Sequence, residues 1–202
     1  MNITTLGEAR FASPQRRTVS DQARVSSRLI RDPDAAPAEE LLFELAGPRA
    51  RLFFDPPRTR AGIVTCGGLC PGLNNVIRSL FLELHHGYGV KEVLGFRGGY
   101  QGLDPATGRE PLMLTPEVLN RIHHIGGTVL GTSRGPVDVG AAVDNLIRRG
   151  VNILFTLGAT APSAAAMHCS RKPGVAGTRW RWSAFRRPST TTWPSSRAAS
   201  AT

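Results

Sequence analysis

Between Ala61 and Leu157 apolar positions recur with two different periods, and the switching between them predicts the elements. Ala61–Thr65 (AGIVT) is a short continuous apolar run with the length of a strand buried on both faces. Cys66–Gly72 (CGGLCPG) is a Gly-rich turn. Leu73, Val76, Ile77, Leu80, Phe81 and Leu84 then fall on one face of a helix. Glu92–Gly95 reads as a second strand and leads into a second Gly-rich turn, Phe96–Leu103 (FRGGYQGL). Thr115 is an N-cap with Pro116 and Glu117 in the first turn, which predicts a helix to about His124. Gly126–Leu130 enters a third turn, Gly131–Gly135 (GTSRG). Asp138 caps a helix with the stripe Val139, Ala142, Val143, Leu146 and Ile147, ended by Gly150. Val151–Leu157 (VNILFTL) is the most strand-like run in the chain.

This alternation predicts an α/β fold, an incomplete doubly wound parallel sheet whose pattern stops at Gly158. Residues 1–60 read as a leader: a mobile arm over Arg10–Gln22, a short helix over Ala36–Ala46 and a short strand over Arg51–Phe54. Residues 61–158 form the expected nucleotide-binding unit. Residues 159–202 read as a basic tail, disordered or out of frame.

Composition changes this picture only at the tail. The chain has 202 residues and a formal charge of +10, yet its last acidic residue is Asp144. Seven basic residues and all three tryptophans lie beyond Gly158, in a segment rich in Ala, Ser, Thr and Pro without helical or strand periodicity. The charge is therefore no guide to the folded part. No run approaches a membrane span, and the N-terminus lacks the apolar region of a secretory signal. Cys66, Cys70 and Cys169 make no disulfide framework, so a cytoplasmic location is expected.

In a doubly wound sheet, ligands sit at the carboxyl ends of the strands, where the three Gly-rich turns lie. Free N–H groups at a helix start attract anions, and Gly67 and Gly68, lacking Cβ atoms, let a phosphate approach. Asn74 can add a donor, and Arg134 a planar fork. The same strand–turn–helix also occurs as plain α/β architecture. It is neither a Walker A loop nor a G-x-G-x-x-G fingerprint. His85-His86 and His123-His124 read as helix ends, Cys66 and Cys70 lack a partner pair for zinc, and Tyr100 can simply pack beside its glycines.

Taken in succession, the loops say more. AGIVTCGGLCPGLNNVIR, GFRGGYQGL, IGGTVLGTSRGP and VNILFTLG, with FELAGPRARLFFDP upstream, resemble the 6-phosphofructokinases, most closely the longer plant-type and related bacterial branch. The resemblance spans about Phe43 to Gly158. It implies transfer of the γ-phosphoryl of ATP, with Mg²⁺, to fructose 6-phosphate in glycolysis, by a homo-oligomeric enzyme without membrane or specific nucleic-acid partners. It places Gly67 and Gly68 at the nucleotide phosphates, with Arg97, Tyr100, Arg134, Gly135 and Gly158 around the nucleotide. Phosphoryl transfer needs positioning and charge neutralisation more than covalent chemistry, which suits such a set.

The chain departs from the family pattern after Gly158. The family continues with Gly-Asp-Gly-Thr or Gly-Asp-Gly-Ser, whose Asp organises Mg²⁺, and later with Pro-Lys-Thr-Ile-Asp-Asn-Asp, whose first Asp is the base. This chain has Ala159-Thr160-Ala161, and the second motif is missing. No catalytic or metal-ligating residue is therefore assigned, and a fragment with little or no turnover is expected. Loss of one base in the Gly158–Ala159 codons accounts for both gaps. Read one frame over, Ala159–Ser163 permits Asp-Gly-Thr-Gln, and Trp182–Trp193 permits Val-Gly-Ile-Pro-Lys-Thr-Ile-Asp-Asn-Asp-Met. Sequencing the coding DNA is expected to show both motifs in that single alternate frame; their absence there rejects the hypothesis.

Three alternatives accompany this reading. Pyrophosphate replaces ATP as donor in one, although a Gly after the recovered Asp favours ATP. An NAD- or lipid-kinase relative is another, against which RGGYQGL and GTSRG argue. The third is a non-catalytic nucleotide- or polyanion-binding protein acting through its basic tail.

Overall fold

A computed structural model describes residues 7–26, 42–69, 71–107, 109–133 and 135–158, and the backbone of 181–186. In chain order its elements are β1 (Phe11–Ala12), β2 (Arg24–Ser26), β3 (Leu42–Glu44), β4 (Arg51–Leu52), β5 (Arg60–Cys66), α1 (Leu73–Leu82), β6 (Glu92–Phe96), β7 (Leu112–Met113), α2 (Pro116–Leu119), α3 (Val139–Arg148), β8 (Ile153–Gly158) and β9 (Arg181–Arg186).

The main sheet has the order β7-β6-β5-β8-β9. β5 is parallel to β6 on one side and to β8 on the other, and only the edge strand β7 runs antiparallel. Side chains alternate across β5. Ala61 and Ile63 join α1 residues Ile77 and Phe81 in one core, whereas Val64 joins α3 residues Ala142 and Leu146 in another. A strand covered on both faces must be apolar throughout, which is why AGIVT shows no polar alternation. Gly62 makes room on the α3 face: a Cβ there would stand 2.8 Å from Leu154 and 2.9 Å from Phe96.

Local chemistry sets the helix ends. The Asp138 carboxylate accepts the Gly140 and Ala141 N–H groups at 2.7 and 3.1 Å, as its N-cap position predicts. The Thr115 hydroxyl accepts from Val118 N–H at 3.4 Å, but α2 lasts one turn instead of reaching His124. The chain breaks at Asn120–Arg121, and both Leu119 and Ile122 still reach the core. α1 likewise gives way after Leu82 to a wider turn over Glu83–Gly87.

The leader departs further from expectation. The strand over Arg51–Phe54 shortens to β4, which pairs antiparallel with β1. The arm is docked: Gln15 Nε2 donates to Glu83 Oε1 at 2.8 Å and to the Gly87 carbonyl at 3.2 Å. Within the expected helix over Ala36–Ala46, Leu42–Glu44 is strand β3, because pairing with β2 supplies its backbone partners; residues 36–41 lie outside the described residues. The tail, expected to be disordered, contains strand β9, because β8 offers it backbone partners: the two pair in parallel from Ile153↔Arg181 to Gly158↔Arg186. The remainder of the tail is outside the described residues.

Candidate functional site

β5 stands between two neighbours reached by opposite crossovers. The chain leaves it through α1 on one face to form β6, and later returns through α3 on the other face to form β8. The strand order reverses there, so the carboxyl ends of β5 and β8 flank the crevice where such sheets bind ligands. Cys66 and Gly158, the last residues of the two strands, are register partners. Gly158 has φ +150°, and a Cβ on it would overlap the Cys66 carbonyl oxygen. Only glycine permits that approach.

The turns after β5 and β6 and the segment 128–133 are tied together by hydroxyls and main-chain bonds. The Thr132 hydroxyl donates to the Gly67 carbonyl at 2.6 Å, and the Thr65 hydroxyl to the Gly131 carbonyl at 2.5 Å. Gly98 N–H donates to the Leu130 carbonyl at 2.7 Å. Asn74 is buried and binds the 125–129 segment from both ends of its amide. Its Nδ2 donates to the Ile125 carbonyl at 2.8 Å, and its Oδ1 accepts from Val129 N–H at 2.7 Å. The structure thus uses this side chain, expected as a ligand donor, to hold one turn against another.

Between the second turn and segment 128–133 lies a polar cavity of about 530 Å³, lined by Arg97, Gly98, Gln101, Gly102, Thr107, Arg109 and residues 128–133. It carries two guanidinium groups and no carboxylate among its lining residues. Arg97 forms part of its wall, where its Nε and Nη2 donate to the Glu110 carbonyl at 3.3 and 3.1 Å. Nothing in the local pattern singled out Arg109, Gln101 or the Thr hydroxyls. Their common feature is a place in or beside a Gly-rich turn. A second cavity, about 310 Å³, is lined mainly by apolar side chains, among them Leu52, Phe54, Leu84 and Phe155. It reaches Thr59 and Ile153 at the amino ends of β5 and β8, away from the turns.

The remaining expected residues scatter around this crevice. Gly67 and Gly68 are half-buried directly after β5. Tyr100 packs against the α3-side core and hydrogen-bonds Cys66. Burial pushes the Cys66 thiol above its ordinary pKa, the Tyr100 bond opposing this more weakly, so the thiol stays protonated at neutral pH and is a poor nucleophile. Gly135 is exposed, close to the Gln101 side chain. Arg134 and Cys70 lie outside the described residues. His85 ends α1's extension stacked on Phe81, its Nδ1 3.1 Å from the Val90 carbonyl oxygen. Among the described residues no group of three or more His, Cys, Asp or Glu could hold a metal ion.

A family model for phosphofructokinases matches residues 60–177, more than half of the chain. This chain belongs to the phosphofructokinase family. The match takes in all three Gly-rich turns, and it continues past Gly158 into residues outside those described. An ATP-dependent 6-phosphofructokinase of Amycolatopsis methanolica is 44% identical over 184 residues, covering 84% of this chain and 40% of the relative. One of Trypanosoma cruzi is 53% identical over 127 residues, covering 63% of this chain and 26% of the relative. The chain thus spans well under half the length of these curated phosphofructokinases. Among solved structures, Pichia pastoris phosphofructokinase in the T-state superposes with a TM-score of 0.54 over 63% of this chain and 15% of the other, at 22% identity. That likeness shows the α/β fold. No helix among the described residues is long and apolar enough to cross a membrane.

Proposed function

We propose that the crevice at the carboxyl ends of β5, β6 and β8 holds the phosphates of ATP, as part of an ATP-dependent 6-phosphofructokinase acting on fructose 6-phosphate in the cytoplasm. The observation that carries this is the convergence of the Gly-rich turns at the point of strand reversal, beside a cavity lined by arginines and without a carboxylate. The names of the relatives support ATP over pyrophosphate. In this proposal Gly67 and Gly68 admit the phosphate chain, Arg97 neutralises it, and Arg134, Gly135, Tyr100 and Gly158 surround the nucleotide. Asn74 acts by positioning. Homo-oligomeric assembly belongs to the same proposal.

When bound with ATP, Mg²⁺ neutralises phosphate charge and orients the γ-phosphoryl. The described residues do not supply a ligand set for it: the cavity lining bears hydroxyls, an amide side chain and guanidinium groups but no carboxylate, the side chain that usually anchors Mg²⁺ beside substrate phosphates. The chemistry assigned to this chain is therefore limited to holding phosphate.

Titration calorimetry of the purified chain tests the proposal. ATP is expected to bind with a dissociation constant of roughly 1 μM to 1 mM, the usual range of enzyme–substrate affinities, and more tightly than pyrophosphate. Absence of any ATP binding up to about 1 mM rejects it. Tighter binding of pyrophosphate assigns the crevice to the other donor.

A further inference from the structure

The polar cavity places two guanidinium groups together and leaves their charge uncompensated. Arg109 is exposed and makes no hydrogen bond or ion pair among the described residues. The acidic residue next to it in the chain is Glu110. That carboxylate is drawn instead to Arg149, at the end of α3, whose Nη2 donates to Glu110 Oε1 at 2.9 Å. The bond to Arg149 and its charge hold the Glu110 carboxyl below the usual range. Arg149 is itself steered by Asn145, which is buried. Asn145 Oδ1 accepts from Arg149 Nε at 3.2 Å, and its Nδ2 donates to the Leu103 carbonyl at 2.8 Å.

Glu110 therefore does two separate things. Its main-chain carbonyl fixes the Arg97 guanidinium, and its side chain is kept out of the cavity. The pair itself is too exposed to matter much for stability, with Glu110 79% accessible. Its effect is local: it decides whether a negative charge sits beside Arg97 and Arg109. The hydroxyls of Thr107 and Thr132 already donate to the Gln101 and Gly67 carbonyls, so the charged donors that face this cavity are the two guanidinium groups.

We propose that Arg97 and Arg109 together clamp a phosphate group in this cavity, and that the Arg149–Glu110 pair preserves the clamp by withholding the Glu110 carboxylate. This rests on the phosphate-holding reading of the crevice and adds Arg109 as a ligand contact, with Glu110, Arg149 and Asn145 as positioning residues.

Calorimetry at low salt with ATP and with inorganic tripolyphosphate, on chains shown by circular dichroism to be folded, tests each part. R109A is expected to weaken both ligands about tenfold, since a charge-assisted bond to phosphate is lost. R149A is expected to weaken them about two- to fivefold, the scale of an exposed charge interaction. The double variant R149A/E110Q is expected to regain the original affinity, because the freed side chain no longer carries charge. A merely structural role for Arg149 predicts no such rescue. Unchanged binding by R109A, while the original chain still binds ATP, overturns the clamp and leaves the phosphate-holding reading intact. Unchanged R149A, or a double variant as weak as R149A, overturns the role of the pair. Failure of the original chain to bind either ligand overturns the underlying reading.

Discussion

Purified chain supplied with ATP, Mg²⁺ and fructose 6-phosphate is expected to form fructose 1,6-bisphosphate at least about 10²–10⁴-fold more slowly than a complete ATP-dependent relative, the usual loss when a positioned base is missing. The reason lies in residues. β8 ends at Gly158, opposite Cys66 and beside the Gly67–Gly68 turn, and the following positions are Ala159, Thr160 and Ala161. None can ligate a cation as a carboxylate does, and the cavity lining contains no acid either. On the proposed reading, holding phosphate and moving a phosphoryl group separate in this chain: guanidinium and main-chain donors serve the first, whereas the second also needs a base. A coupled assay measures the rate beside a binding measurement on the same preparation. Bound ATP with negligible turnover is the expected pair of results. Turnover within tenfold of a complete relative overturns the prediction and requires a base elsewhere in the chain.

Phe96→Ala is expected to destabilise the folded chain by about 3–5 kcal/mol, the usual cost of removing a buried aromatic ring. Phe96 has no accessible surface and closes β6 on the α3 side, among Val64, Leu103, Leu146 and Leu154. Its ring also fills the space that Gly62 leaves open, so no neighbouring β5 side chain can swing in to replace it. Against a typical stability of about 5–15 kcal/mol, such a loss unfolds a large share of molecules. It should also blur the cavity, because Arg97 follows Phe96 directly. Urea denaturation followed by circular dichroism measures the effect. A loss below about 1 kcal/mol shows that the β6 core can collapse around the gap.

The parts of this structure that could be read beforehand are those dictated by neighbours in the chain. The apolar stripe of α1, the Asp138 cap, the Gly150 stop and the uninterrupted runs of β5 and β8 are local signals, and each forms close to its expected position. The three Gly-rich turns are legible for the same reason. What escaped depends on pairing across long separations. Residues Leu42–Glu44 carry a helix-like pattern upstream of Gly47, but β2 captures them as a strand. β7 is only two residues long and exists through its pairing with β6. Asn74 was visible as a polar residue in the first turn of a helix. Its partners, Ile125 and Val129, follow more than fifty positions later, so its positioning role could not be read locally. Arg109 had the weakest signal of all. It gains meaning only when Glu110 is seen to turn toward α3.

The placement of β5 also governs the order in which this molecule can be made. Its register with β6 closes over a short stretch of chain, but its other edge must wait for β8; even at the start of the strand, Arg60 and its partner Asn152 are 92 positions apart. At about 5–20 residues per second, a ribosome needs roughly 5–18 s to supply that partner. For most of this interval a strand that ends up buried from Ala61 to Cys66 has one unpaired edge and only one covered face, since α3 too is still unmade. A nascent chain halted in that window exposes an aggregation-prone strand, so slow codons between α1 and α3 carry a cost to yield that the finished protein does not reveal.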